Sequence, residues 1–276
     1  MKQDFVLENM ENTLYGHFPC LSHNGLVTHG FSTRMGGVSQ GPYSTMNLAY
    51  NSLDDPRNVE ENYHRFTSAM GVDWKKAVLT YQTHKSFIRR ITEAETGMGL
   101  TRQRDYSDID ALITNEPGIP LMSFHADCAP LFLVDPIQKA VGLVHAGWRG
   151  TSENIAGKVV NEMNLAYGTK PEQITVGIGP CIHECCFLIR KDVRNTLLEK
   201  LPFVDGLMKK KNHAQWAVSL QMINRRLLLE SGVSETKIHL SPFCTCCRHD
   251  LFYSHRSQGS LRGTMAALIQ LNRRTD

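Results

Sequence analysis

The sequence predicts an α/β or α+β fold built on at least one large mixed sheet. Two observations carry that expectation. Stretches rich in β-branched and aromatic residues are interspersed with segments of helical periodicity. In addition, no internal repeat, low-complexity tract or long Pro/Gly/Ser linker divides the chain. The 276 residues are therefore expected to form one domain spanning 1–276, long enough to bury roughly 75% of the surface of the unfolded chain.

Taken in order, residues 25 to 34 ("GLVTHGFSTR") and 77 to 91 ("AVLTYQTHKSFIRRI") read as strands. Residues 55 to 71 read as a helix stopped by Gly71. Residues 108 to 115 and 119 to 128 are strands split by the turn "EPG". "KAVGLVHAGW" is a further strand, followed by one helix over 151 to 168 with Thr151 or Ser152 near its N-cap and Gly168 beyond its end. Residues 173 to 182 read as a strand, and "KDVRNTLLEKL" and "SLQMINRRLLLESGV" as helices.

With 30 Lys+Arg against 27 Asp+Glu, the formal charge is +3. The basic pairs are scattered, so no nucleic-acid partner is expected. No run of about 18 apolar residues exists, which argues against a membrane-spanning helix. The N-terminus carries Asp4 and Glu8 and lacks an apolar signal region, so a cytoplasmic protein is expected. In that compartment the eight cysteines stay reduced, and chemistry or metal outranks disulfides as their explanation.

His84 in "YQTHKS", Cys128 in "HADCAP" and His145 in "VHAGWRG" all stand where strands give way to loops. Two imidazoles and a thiolate are a set that zinc accepts, and three protein ligands leave the fourth tetrahedral position open. Their separations match no local zinc-finger rule, and any one of them taken alone reads more readily as an ordinary buried side chain than as a ligand. The helix opening after "HAGWRGT", with Arg149 beside it, forms either an anion seat or a plain tight turn. The polar, Gly-rich stretch 31 to 48, with Arg34 and Asn47, is too costly to bury as core and reads as a substrate loop or a mobile surface loop. "CIHECC" (181 to 186) and "CTCCRHD" (244 to 250) mix Cys with His, which invites a second, structural metal site, but paired C-x-x-C motifs at finger spacing are not evident, so ordinary reduced thiols are the expectation there.

The series "HGFSTRMGGVSQGPYSTMNL", "QTHK", "DIDALIT", "HADCAPLFLVDP", "VHAGWRGT", "GIGPCIHECCF" and "CTCCRHDLFYSHR", in that order, resembles the bacterial family once labelled multicopper polyphenol oxidase or laccase-domain proteins. Members of that family are now regarded as purine nucleoside phosphorylases with adenosine deaminase activity. The resemblance runs from about residue 25 to 270. It implies a layered α-β-β-α sandwich similar to the catalytic domain of cytotoxic necrotizing factor toxins. It also implies zinc, with copper as the other candidate, on His84, Cys128 and His145. Where the family usually shows "QVHG" this chain has "QTHK", so Lys85 replaces a glycine beside the metal.

The implied substrates are a purine nucleoside and phosphate, with Arg34 or Arg149 as the phosphate ligand and Asp127 as an orienting or proton-transferring group. Two other functions compete. A copper-dependent polyphenol oxidase would need H-x-H pairs, and no two of the twelve histidines are so spaced. A hydrolase acting on a peptidoglycan precursor would use Cys128 as nucleophile with His145 as its base.

Overall fold

Two seven-residue strands, Ala129–Asp135 and Ala140–Ala146, are buried at every position. Such strands have no solvent face and require cover on both sides of their sheet. The computed structural model, which describes residues 4–50 and 52–273, supplies that cover with a second sheet on one side and helices on the other. In chain order the strands are β1 (Val6–Met10), β2 (Thr13–His17), β3 (Val27–Ser32), β4 (Val78–Leu79), β5 (Phe87–Arg90), β6 (Ile109–Thr114), β7 (Leu121–His125), β8 (Ala129–Asp135), β9 (Ala140–Ala146), β10 (Thr175–Ile178), β11 (Leu188–Ile189), β12 (Lys209–Lys210), β13 (Trp216–Ala217), β14 (Ile238–Leu240) and β15 (Met265–Leu271). The helices are α1 (Pro56–Ser68), α2 (Trp148–Ser152), α3 (Ile155–Tyr167), α4 (Lys191–Lys200), α5 (Leu220–Glu230) and α6 (His255–Gln258).

Two six-stranded mixed sheets form the centre, ordered β1-β2-β3-β15-β7-β4 and β14-β10-β8-β9-β6-β5, with a small sheet β11-β13-β12 beside them. Strand alternation sorts the apolar residues into three layers. Phe31, Leu121 and Met265 of the first sheet meet Leu112, Phe132 and Leu143 of the second. On the outer face of the first sheet, Tyr63 and Phe66 of α1 pack on Met122 and Leu268. On the outer face of the second, Val159 and Met163 of α3 and Leu227 of α5 pack on Ile113, Leu131 and Val144. The architecture is the α-β-β-α sandwich that the resemblance implied. No helix among the described residues is long and apolar enough to cross a membrane.

Four local expectations are corrected. The strand expected over 77–91 is two strands in different sheets, because the chain between Leu79 and Phe87 crosses from the first sheet to the second. The strand expected over 119–128 stops at His125, where the chain turns through residues 126–128 to β8 in the other sheet. The helix expected over 151–168 is α2 and α3. The break falls where Asn154 takes a left-handed conformation (φ 56°) and caps α3 through its side chain, accepting from Gly157 N. The stretch 31–48 is only partly a surface loop: Met35 and residues 40–42 are exposed, but Met46, Asn47 and Leu48 are fully buried. The Asn47 amide donates to Ser52 Oγ at 2.9 Å and Asp54 Oδ2 at 3.0 Å, and its oxygen accepts from Thr264 N at 3.0 Å. Burial of a polar loop is tolerable once its groups are paired in this way.

Between the sheets the buried His29 ring accepts a hydrogen bond from Phe18 N through Nε2 at 3.0 Å. Burial, and then the charge of His17, holds its pKa down from 6.5 to about 3. The unfolded chain therefore takes up this proton as pH falls through 6.5, whereas the folded chain resists until about 3. The stabilising effect of a neutral His29 is complete above the upper value and is lost across that window, by up to ~1.4 kcal/mol per pH unit. His29→Gln keeps an acceptor and cannot titrate. In urea denaturation the stability gap between the wild type and this variant should therefore narrow as pH drops from about 6 to about 4; a constant gap would show that His29 does not resist protonation.

Candidate functional site

The two crossings between sheets lie at the same end of the sandwich and together make the site. β7 ends the first sheet at His125 and β8 begins the second at Ala129, so Ala126, Asp127 and Cys128 make the turn. Asp127 makes it at φ 94°, a conformation Asp tolerates better than most residues. The crossing from β4 to β5 carries His84, itself left-handed at φ 62°. His145 comes from the last turn of β9, on the same face of the strand as Val141 and Leu143, and so points into the layer between the sheets.

The ligand atoms of His84, Cys128 and His145 lie within 4.8 Å of one another. Asp110, fully buried at the start of β6, orients two of the three. Its Oδ1 bonds His145 Nδ1 at 2.7 Å and accepts from His84 N at 3.1 Å, while its Oδ2 accepts from Thr83 N and Lys85 N. With Nδ1 engaged, His145 is left with Nε2 for the site. Gly147 provides the room: a Cβ there would stand 2.8 Å from His84 Cδ2 and 3.0 Å from Cys128 Sγ. His125 is close by but committed, its Nε2 to Ser123 Oγ at 2.8 Å and its Nδ1 to the Cys128 carbonyl at 3.1 Å.

The electrostatics favour a thiolate. Burial alone would raise the Cys128 thiol, but the charge of His145 and hydrogen bonds from His145 and His84 bring it down to about 6. Burial alone would lower His145, yet the Cys128 charge and the Asp110 carboxylate raise it to about 9. At neutral pH the pair is thus a thiolate beside an imidazolium: a metal would take the sulfur as it stands and displace the proton from His145 Nε2. Three convergent ligands with an oriented imidazole and an open fourth position fit zinc.

Two clefts flank His84. One, of about 640 Å³, exposes Cys128 and His145 beside Tyr50, Tyr81, Phe124 and the guanidinium groups of Arg104 and Arg262. The other, of about 540 Å³, is basic, lined by Lys85, Arg149, Lys158 and Lys200 around Trp148. Arg149 lies 4.5 Å over the Trp148 ring in that second cleft. The helix after "HAGWRGT" opens at Gly147, earlier than expected, and α2 has only five residues, so no long helix aims its N-terminus at the triad.

The remaining expected site residues hold structure together. The Arg34 guanidinium donates to the carbonyls of Ser44 and His249 and lies 4.7 Å over the Tyr253 ring, lining neither cleft. The Asp127 carboxylate accepts from Thr245 Oγ1 at 2.7 Å and Arg256 N at 2.7 Å. Lys85 pairs with Asp108 at 2.9 Å, and its backbone N–H completes the Asp110 cradle. Sequence reasoning missed Asp110, Arg104 and Arg262. Only Asp110 left a signal, as an acid inside an apolar strand.

Asp110→Asn is expected to weaken metal retention by roughly 10–100-fold, as loss of a carboxylate behind a ligating imidazole commonly does. Dialysis against a graded series of chelator concentrations, followed by metal analysis, measures this directly. Unchanged retention would show that Asp110 serves the loop and not the ligands.

Residues 28–272 match the family model described as multi-copper polyphenol oxidoreductase laccase. The purine nucleoside phosphorylase YlmD of Geobacillus stearothermophilus is 34% identical over 245 residues, covering 87% of this chain and 88% of that protein. Its Bacillus subtilis counterpart is 32% identical over 251 residues, covering 90% and 89%. The crystal structure of YlmD from Geobacillus stearothermophilus superposes with a TM-score of 0.90 at 32% identity, covering 98% of this chain and all of that one (100%). The chain therefore belongs to the family described as multi-copper polyphenol oxidoreductase laccase, among whose members are proteins named purine nucleoside phosphorylase.

Proposed function

We propose that this protein is a zinc-dependent cytoplasmic purine nucleoside phosphorylase with adenosine deaminase activity, acting as one domain. The observation that carries the reading is the His84-Cys128-His145 triad opening onto a cleft with aromatic walls and two guanidinium groups. Such a cleft offers stacking surfaces for a purine and cations for phosphate. Relatives named purine nucleoside phosphorylase support the same reading.

His84, Cys128 and His145 would hold the metal, which when bound supplies Lewis-acid charge at an open position of the kind deamination at purine C6 requires. Asp110 fixes the His145 tautomer and the His84 loop. Tyr50, Tyr81 and Phe124 bracket the base and exclude water. In phosphorolysis a phosphate oxygen bonds ribose C1′ as the C1′–N9 bond breaks, and the bonding pair leaves with the purine. Of the cations, Arg262 shares the cleft with Cys128 and His145; its Nη1 donates to Gly263 O at 3.0 Å and Thr264 Oγ1 at 3.2 Å and its Nε is buried, which leaves Nη2 without a hydrogen-bond partner among the described residues. We assign phosphate to Arg262 in preference to Arg149 in the neighbouring cleft.

One observation favours a second reading. A Cys128 thiolate paired with His145, itself backed by Asp110, is also the arrangement of a cysteine hydrolase. Such an enzyme keeps its activity under chelation and loses it on thiol alkylation. Copper-dependent phenol oxidation would instead require stoichiometric copper together with phenol turnover.

Incubation with adenosine separates these possibilities. Adenine and ribose 1-phosphate should form only when phosphate is present, inosine should form without it, and absence of all three sinks the proposal. Cys128→Ala should lower both activities by roughly 100-fold or more together with zinc content. Arg262→Met should raise the KM for phosphate by roughly 10–100-fold, the equivalent of one lost charge-assisted hydrogen bond, with zinc content unchanged. The same KM change in Arg149→Met alone would move the phosphate to the neighbouring cleft.

A further inference from the structure

Apart from the triad, one other group of His, Cys, Asp or Glu side chains among the described residues converges closely enough to hold a metal: Cys185, Cys186, Cys244 and Cys247. We propose that these four thiolates form a second, closed zinc site whose role is structural. Their sulfurs all lie within 4.8 Å of one another, with Cys247 Sγ at 3.4 Å from both Cys185 Sγ and Cys186 Sγ. Zinc–sulfur bonds of about 2.3 Å in a tetrahedron place sulfurs ~3.8 Å apart, inside that range. A disulfide needs about 2.05 Å, and all four cysteines are free. Four thiolates fill the zinc coordination sphere and leave no position for substrate, which marks a structural site.

The fold brings the two halves of the set together. β10 and β14 are parallel neighbours, and the segments that follow them leave from the same end of the sheet. Cys181 and Cys244 pair through their backbones as an isolated parallel β-bridge, and Thr245 N donates to the Cys181 carbonyl at 3.0 Å. Cys244 and Cys247 stand in C-x-x-C spacing, the half-site motif of many zinc sites. The sequence reading overlooked it because Cys246 interrupts the pattern. His183 N donates to Cys244 Sγ at 3.4 Å, an orienting contact of the kind that supports metal ligands.

The same two segments grip the turn that carries the triad cysteine. Ile182 N donates to the Asp127 carbonyl at 2.9 Å, Thr245 Oγ1 donates to its carboxylate, and Cys128 follows directly. Arg256 closes the arrangement, with its backbone N on Asp127 Oδ2 and its guanidinium on the Cys186 carbonyl. A zinc bound here would pin both segments against the Asp127–Cys128 turn without touching substrate.

Metal analysis of the protein purified under reducing conditions without added metal should find about two zinc ions per chain. Cys185→Ser with Cys247→Ser should retain about one, as should His84→Ala, which empties the other site. Because these variants can misfold, thiol reactivity of the wild type gives an independent reading. Cys185 and Cys247 are exposed, so an alkylating reagent reaches them, and without metal their rate of reaction should be the same with and without a chelator. A bound zinc should slow them by roughly tenfold or more until a chelator is added. One zinc that disappears with His84→Ala, alkylation no faster after chelation than before it, a disulfide found by mass spectrometry, or iron in place of zinc would each overturn the proposal.

Discussion

Asp110 carries a charge where no water reaches it, and the arrangement of the site follows from how that charge is satisfied. An unpaired buried carboxylate is costly enough that proteins surround it with donors or neutralise it. Here the donors are three successive backbone N–H groups, Thr83 to Lys85, and the His145 ring. Three consecutive N–H groups can converge on one carboxylate only if the chain bends back on itself, and the left-handed His84 provides that bend. The same carboxylate thereby fixes the loop that delivers one imidazole and the tautomer of the other.

The site also depends on the two sheets facing each other. β7 and β8 are consecutive strands in opposite sheets, so Cys128 falls in a turn too short to wander. Asp127 holds that turn through its carboxylate and its carbonyl, both engaged by segments following β10 and β14. Rigid placement of a thiolate this close to the surface is costly in backbone freedom. The protein meets that cost through hydrogen bonds to elements far away in sequence: Ile182 on the Asp127 carbonyl, and Thr245 and Arg256, 118 and 129 positions on, at its carboxylate.

Much of this was legible before the fold was seen, and what was missed has physical reasons. His84, Cys128 and His145 were singled out because reactive groups stood at the ends of apolar runs, and the structure brings all three together. The strand between Ile109 and Thr114 was legible too, yet the meaning of Asp110 within it depends on which loop lies opposite, and that is decided by pairing between distant segments. Sheet crossings were invisible, because a continuous apolar run has the same composition whether it stays in one sheet or changes to another. Arg34 was harder to read for a related reason. A cation in a Gly-rich loop suggests an anion, whereas here two carbonyls and the Tyr253 ring occupy it. The buried end of the stretch 31–48 showed the limit of reading polarity as exposure, since Asn47 and Asn62 satisfy polar groups there internally.

A thiolate beside an imidazole supports two chemistries, and the electrostatics alone do not choose between them. The second imidazole does. A cysteine nucleophile needs one base, and His145 backed by Asp110 supplies it. His84 would then be superfluous, yet the chain holds it in a left-handed conformation that costs a non-glycine residue on the order of 1 kcal/mol. Its N–H and those of its two neighbours are tied to Asp110 to keep it there, and Gly147 leaves open the space into which its ring and the Cys128 sulfur converge. A strained residue aimed at a thiolate and a second imidazole is what the proposed metal site explains, since an ion shared by the three would account for every member of the set.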